Sequence, residues 1–279
     1  MNICISQITT MPSDLPTDLW AFSKAGWSAV ELLLDKVDKY LEEHSIEQLQ
    51  RLLAACNLTA VAAIGRAPAD AGLLLESGSA LDRFLAELAR QLELCRMLRI
   101  PCLGVGSDPG TNRNRDWFPG AVRNLRVAGD MAKEVGVYVG LEFMSLAPPI
   151  GPFVLSTLAE TRALVEAVAH PNVGFNLDLF HHYRGGGKIV DIANLSPDQL
   201  IHVHFCDVLG LPMTQLDDGH RVLPEEGDLP LDEIVGALQS CGYKGYLSLE
   251  LLNEALWKED PVVVAQRGWA SMQRFVNNE

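Results

Sequence analysis

Val137-Tyr-Val-Gly-Leu-Glu142, Val173-Gly-Phe-Asn-Leu-Asp178, Ile201-His-Val-His204 and Tyr246-Leu-Ser-Leu-Glu250 are four short apolar runs. Each has the length of a strand and ends on, or beside, a group that can hold a hard metal ion. The gaps between them are helix-like or turn-rich and long enough for a helix and its loops. Two Glu, one Asp and one His at successive strand ends would make an oxygen-rich site with one imidazole. That donor set suits Mn²⁺, Mg²⁺, Co²⁺ or Zn²⁺ and does not match an iron–sulfur or structural zinc pattern.

Working outward, the same alternation fills the N-terminal half. Strands are expected at Ile3 to Ile8, Ala29 to Leu34, Leu58 to Ile64 and Cys102 to Gly106, and Gly245 to Leu249 gives the last one. Helical spacing covers Leu15 to Ala25, Ala80 to Leu98, Ala121 to Glu134, Thr157 to Ala169 and Leu231 to Gln239. Ser45, followed by Gln48 three residues on, caps another helix with Leu49, Leu52 and Leu53 as its stripe. Ser196 to Leu200 reads as a short helical piece, and Asp260-Pro261 opens a final helix to about Val276. Several strands are continuous apolar runs, which suit parallel strands covered on both faces. Eight strands alternating with about eight helices predict an α/β fold, a single (β/α)8 TIM barrel over residues 1–279. An open doubly wound sheet is the alternative, but no Gly-rich dinucleotide fingerprint follows the first strand. The Pro/Gly-rich segments Gly106–Gly120, Ala147–Pro152, Arg184–Lys188 and Leu209–Asp228 all follow strands, on the face where barrels carry their sites.

A chain of 279 residues can bury such a core without disulfides. The formal net charge of −14 repels phosphate backbones, so nucleic acid is not an expected partner. No stretch has the apolar length of a membrane span, and the start shows no signal-peptide pattern. Six scattered Cys without CxxC spacing suit reduced, buried thiols and a cytoplasmic location. The oligomeric state stays open, a homo-oligomer included.

Barrel sites form at the C-terminal ends of the strands. Glu142, Asp178, His204 and Glu250 stand there on four consecutive strands, so they are expected to converge. One strand-end Glu alone would ordinarily be a solvated loop residue. His202 has the parity of His204 and lies deeper, as a supporting or core histidine. Asp207, just past the strand, could orient a ligand, bind the metal or contact substrate, with a solvated loop residue as the equal alternative. His181, three residues after Asp178, can point back at the site to bind substrate, with His182 as a weaker candidate. Gly185 to Gly187 lacks the Lys-Ser/Thr of a P-loop and reads as a flexible lid. Arg221 sits in a Pro/Gly-rich frame that could fix it for substrate, and Glu31 is a rim candidate. Phe143, Phe180, Trp117 and Trp257 could wall off water, though aromatics at such spacings more often pack.

Several motifs together resemble the xylose-isomerase-like TIM-barrel superfamily of sugar isomerases and epimerases. They are Cys4…Thr9-Thr10, Glu43-His-Ser45, Leu141-Glu-Phe143, Asn172-Val-Gly174, Asp178-x-Phe-His181, His204-x-x-Asp207, Arg221-Val-x-Pro224 and Ser248-x-Glu250. Within that superfamily the chain is most similar to the inosose isomerases. The resemblance implies one divalent metal ion (Mn²⁺, Zn²⁺, Co²⁺ or Mg²⁺) on Glu142, Asp178, His204 and Glu250. It also implies Glu142 and Glu250 as the catalytic pair, with His181 and Arg221 on the substrate. The implied activity is isomerisation or epimerisation of a small polyol ketone, a keto-cyclitol or ketose, by proton transfer through a metal-stabilised enediolate. Two departures stand out. Pro224-Glu-Glu-Gly227 replaces the usual Pro-Gly-x-Gly, and Met144 stands where related dehydratases often carry a His. The alternative is a metal-dependent dehydratase of an inosose or dehydroshikimate-like acid. An endonuclease of the multi-metal type is disfavoured by charge and by only seven His. A non-catalytic carbohydrate-binding barrel would have no need of two carboxylates there.

Overall fold

The computed structural model describes residues 1–67, 71–110, 116–146 and 150–276. Eight parallel strands close into a barrel: β1 (Asn2–Ser6), β2 (Ala29–Leu33), β3 (Thr59–Ile64), β4 (Cys102–Gly106), β5 (Tyr138–Glu142), β6 (Val173–Asp178), β7 (Leu200–Phe205) and β10 (Tyr246–Leu249). The ring runs in chain order and is sealed by β1 on β10, with Asn2 opposite Tyr246 and Ile5 opposite Leu249. Between β7 and β10 the chain makes a two-stranded antiparallel ribbon, β8 (Asp207–Val208) and β9 (Arg221–Val222). The open-sheet alternative is thereby excluded.

The helices are α1 (Leu15–Ala25), α2 (Leu34–Leu41), α3 (Ile46–Ala55), α4 (Gly78–Leu98), α5 (Trp117–Val135), α6 (Leu158–Val168), α7 (Leu179–Arg184), α8 (Ile189–Ala193), α9 (Leu231–Ser240) and α10 (Pro261–Met272). Local sequence explains their ends. Asp14 caps α1 by accepting from the Thr17 amide, and Gly26 closes it at φ 102°. Ser45 and Gln48 form the reciprocal capping box of α3. Strand faces that do not point into the barrel are covered by these helices, so all six residues of β6 are buried.

Four expectations shift. The first strand stops at Ser6, because Gln7–Thr10 turns into a 3-10 helix whose Thr9 hydroxyl donates to the Leu249 carbonyl across the barrel mouth. Leu34 does not extend β2 but opens α2, whose Lys36 reaches back to the carbonyls of Gln7 and Thr10. The short helical piece before β7 is Ile189–Ala193 rather than Ser196–Leu200, and Leu200 already belongs to β7. Helix α5 begins at Trp117, four residues early, since Pro119 is tolerated in a first turn. Parts of the Gly106–Gly120 and Ala147–Pro152 segments lie outside the described residues.

Candidate metal centre

Each of the four ligand-type side chains is delivered by the end of a strand. Glu142 and Asp178 are the last residues of β5 and β6, and His204 is the penultimate residue of β7. Glu250 follows β10 directly, its amide donating to the Phe205 carbonyl. Register places Asp178 beside His204, and His204 beside Ser248. One donor atom from each of Glu142, Asp178, His204 and Glu250 lies within 4.8 Å of every other. His204 Nδ1 is 3.2 Å from Glu142 Oε1, 3.2 Å from Glu250 Oε2 and 3.6 Å from Asp178 Oδ2. Asp178, His204 and Glu250 are buried, and Glu142 is partly so.

Arg221 completes the wall. The β8–β9 ribbon carries it over the barrel mouth, where its guanidinium stacks at 4.7 Å on the Phe180 ring. Nη1 donates to Asp178 Oδ2 at 2.5 Å and to Glu250 Oε2 at 3.3 Å, while Nε and Nη2 both reach Asp218 Oδ1. Nη2 also lies 3.3 Å from His181 Nε2. A guanidinium only donates, so Nε2 accepts and the His181 proton sits on Nδ1. The other Asp178 oxygen caps α7 by accepting from the His181 amide at 2.7 Å.

The electrostatics follow from burial and charge. Burial alone would raise Asp178, but Arg221, then His181 and His204, outweigh it and hold the carboxyl well below the usual range. Burial opposes charging His204 as well, yet Glu250, Glu31 and Glu142 together lift it well above an ordinary imidazole. Glu250 goes the other way: burial pushes its carboxyl up to about 7 despite His204 and Arg221. Three carboxylates crowding one imidazole nitrogen, with one arginine beside them, leave a surplus of negative charge. A divalent cation fits that surplus and that donor set.

A cavity of about 320 Å³ opens onto this cluster. Its charged lining is Arg66, Glu142, His181, Asp218, Arg221 and Glu250, and Ile8, Ile64, Val105, Met144 and Leu252 are on its apolar side. A larger cavity, about 1030 Å³, lies at the opposite mouth against Thr59, Cys102, Tyr138 and Tyr246, and none of the four ligand-type residues lines it.

Three expected site residues are placed elsewhere. Asp207 does not reach the cluster. Its Oδ1 accepts from the amides of Val208 and Leu229 and its Oδ2 from those of Glu225 and Gly227, so it staples the loop after β7. A Cβ on Gly227 would sit 2.5 Å from Asp207 Oδ1, which is why a glycine stands there. Where the family usually has the first Gly of its Pro-Gly-x-Gly, Glu225 holds a left-handed φ of 78°. His182 turns away too: Nε2 donates to the Lys188 carbonyl, and the ring lines a separate cavity with Thr157 and Asp191. Glu31 is no rim residue, since it sits mid-strand in β2 and points into the barrel, 1% exposed. The Gly185–Gly187 run is a helix end packed on the His182 ring rather than a lid over the site. Of the four aromatics considered, none lines the cavity. Phe180 supports Arg221, and Trp257 Nε1 donates to the Ile8 carbonyl.

Sequence reasoning missed Asp218, which holds Arg221, and Asn176, whose amide lies over His204. Asp218 sits three residues before Arg221, the only signal that could have pointed to it.

The chain belongs to the xylose isomerase-like TIM-barrel family, whose sequence model matches residues 21–271. The inosose isomerase of Halalkalibacterium halodurans is 28% identical over 257 residues, covering 90% of this chain and 88% of that protein. The D-psicose 3-epimerase of Enterocloster bolteae is 25% identical over 225 residues, covering 76% and 68%. Among solved structures, the IolI protein with a bound zinc atom superposes with a TM-score of 0.89 at 23% identity, over 99% of this chain and 98% of that one.

Proposed function

We propose that the chain is a divalent-metal-dependent isomerase or epimerase of a keto-cyclitol or ketose, with an inosose-type polyol ketone as substrate. The observation that carries this is the convergence of Glu142, Asp178, His204 and Glu250 within 4.8 Å at the barrel mouth, beside a sugar-sized cavity. Relatives named as isomerases and epimerases, matching most of the chain, support the same reaction class.

Those four side chains would hold the cation. When bound, it supplies positive charge against a substrate carbonyl and so acidifies the neighbouring C–H. The chain's own residues do the rest. Glu142 and Glu250 both face the cavity, and one of them takes the proton alpha to the carbonyl. Returning that proton to the former carbonyl carbon, while the hydroxyl proton passes from the neighbouring oxygen to the former carbonyl oxygen, isomerises the substrate, and returning a proton to the opposite face of the original carbon epimerises it. Arg221, held by Asp178, Asp218 and Phe180, and His181 beside it form the polar wall against which substrate hydroxyls are oriented. The apolar side, from Ile8 to Leu252, excludes water from the face of the sugar that carries C–H bonds. Met144 on this wall cannot take a proton, which favours isomerisation over the dehydratase alternative.

The deciding experiment incubates metal-loaded protein in D₂O with a panel of inososes and ketoses. Deuterium at a carbon next to the carbonyl, with no loss of water, is expected for at least one of them. Dehydrated product would establish the lyase instead.

A further inference from the structure

Directly beneath the four ligand-type side chains lies a carboxylate that no role yet accounts for. Glu31 sits between three polar groups inside the barrel. Ser248 Oγ donates to Oε2 at 2.7 Å. His204 Nε2 lies 3.1 Å from Oε1, and His202 Nε2 lies 3.2 Å from that same oxygen, outside hydrogen-bonding angle. The residues come from β2, β7 and β10, so the arrangement spans the barrel.

We infer that Glu31 is a positioning residue, which fixes the ring orientation and the tautomer of His204 so that Nδ1 is the nitrogen offered to a cation. The inference rests on the metal-dependent reading above and adds a group to it. An ionised carboxylate only accepts, so the nitrogen facing it carries the hydrogen. An imidazole that binds a cation has given up its second proton, so it carries one N–H and one lone pair. With Nε2–H committed to Glu31, the lone pair is left on Nδ1, the nitrogen within 3.2–3.6 Å of Glu142, Glu250 and Asp178. Turning the ring over would put Cε1 where Nε2 stands and leave a buried carboxylate oxygen without that donor, which is costly. Ser248 holds the carboxylate from its other oxygen, so Glu31 cannot swing away to follow a misplaced ring. Negative charge behind the ring also makes Nδ1 a stronger donor.

The test uses the whole chain loaded with Zn²⁺ and labelled with ¹⁵N-histidine, with the His204 signals assigned by their loss in His204→Asn. Coordination through Nδ1 with a proton on Nε2 is expected; coordination through Nε2 overturns the inference without any change at Glu31. Glu31→Gln and Ser248→Ala are then titrated with Zn²⁺ against a chromophoric chelator. Glu31→Gln is expected to weaken Zn²⁺ binding by roughly 10–100-fold and to alter the His204 nitrogen signals. Ser248→Ala should cause a smaller loss with the same tautomer. Native-like Zn²⁺ affinity in Glu31→Gln overturns the positioning role and leaves the metal site standing. No Zn²⁺ binding by the unchanged protein would remove both.

Discussion

Arg221 Nη1 and Asp178 Oδ2 lie 2.5 Å apart, joining the ribbon after β7 to the end of β6 in a place that solvent does not reach. Asp178 therefore serves three ends at once: it caps α7, anchors the arginine and faces His204. Arg221→Met should leave Asp178 and Asp218 short of their cation and cost roughly 3–5 kcal/mol, as for other broken buried pairs. Arg221→Lys keeps the charge but not the fork, so it is expected to fold and to lose about 10²-fold in kcat/KM. Urea unfolding and steady-state kinetics check the two variants.

Glu142→Gln and Glu250→Gln each remove a proton acceptor without changing shape. Turnover should fall by roughly 10²–10⁴-fold in each, with the circular dichroism of the folded chain retained. A Glu250→Gln protein as active as the original would exclude that residue from proton transfer.

Removing divalent metal with a chelator should abolish activity and lower Tm, and adding Mn²⁺, Co²⁺ or Zn²⁺ back should restore both. Ligand that binds only the folded state stabilises it in proportion to its excess over Kd. A Tm indifferent to every divalent ion, measured by calorimetry, would count against the site.

Asp207→Ala strips four amides of their acceptor. The loop carrying Arg221 should loosen, at a cost of about 2–4 kcal/mol. Because Asp207 stays clear of the ligand cluster, Zn²⁺ affinity should hold while KM rises. A drop in Zn²⁺ affinity matching that of a ligand substitution would return Asp207 to the metal site.

Asp18 provides a pH test away from the centre. Its carboxylate accepts from Gln7 and Thr10 and pairs with Lys36 Nζ at 2.6 Å, tying α1, α2 and the turn after β1 together. Burial lifts its carboxyl to about 6, although Lys36 pulls the other way. An unfolded Asp titrates near ~4, so between those values the folded chain binds more protons. The contribution of this group is then fully present below pH ~4, declines as pH rises to about 6 and is constant above. Asp18→Asn lacks it, so the stability gap between the two proteins should narrow from pH 4 to pH 6. A gap that widens over that window, in urea melts, would mean that Lys36 outweighs burial.

The barrel was readable because buried parallel strands are continuous apolar runs, and because capping residues such as Ser45 and Asp14 mark helix ends locally. Helix α2 was not, since Leu34 continues an apolar run and only its tertiary docking through Lys36 turns it away. Neighbourhood in a barrel follows chain order, so strand-end residues such as Glu142, Asp178, His204 and Glu250 could be paired before any coordinates. Asp207 and His182 carry the same chemistry at similar offsets, yet they point elsewhere. Which amides or carbonyls fall within reach of a loop side chain depends on the folded path of the loop.

The order of strands and the residue types at their ends are properties of the chain itself, set by periodicity and local caps. Tertiary structure alone decided that Glu31 lies buried against His204 and Ser248 and that Arg221 is buried among acids. Both depend on how side chains from distant strands meet within a few ångströms, where charge interactions are strong and linear spacing carries no record of them.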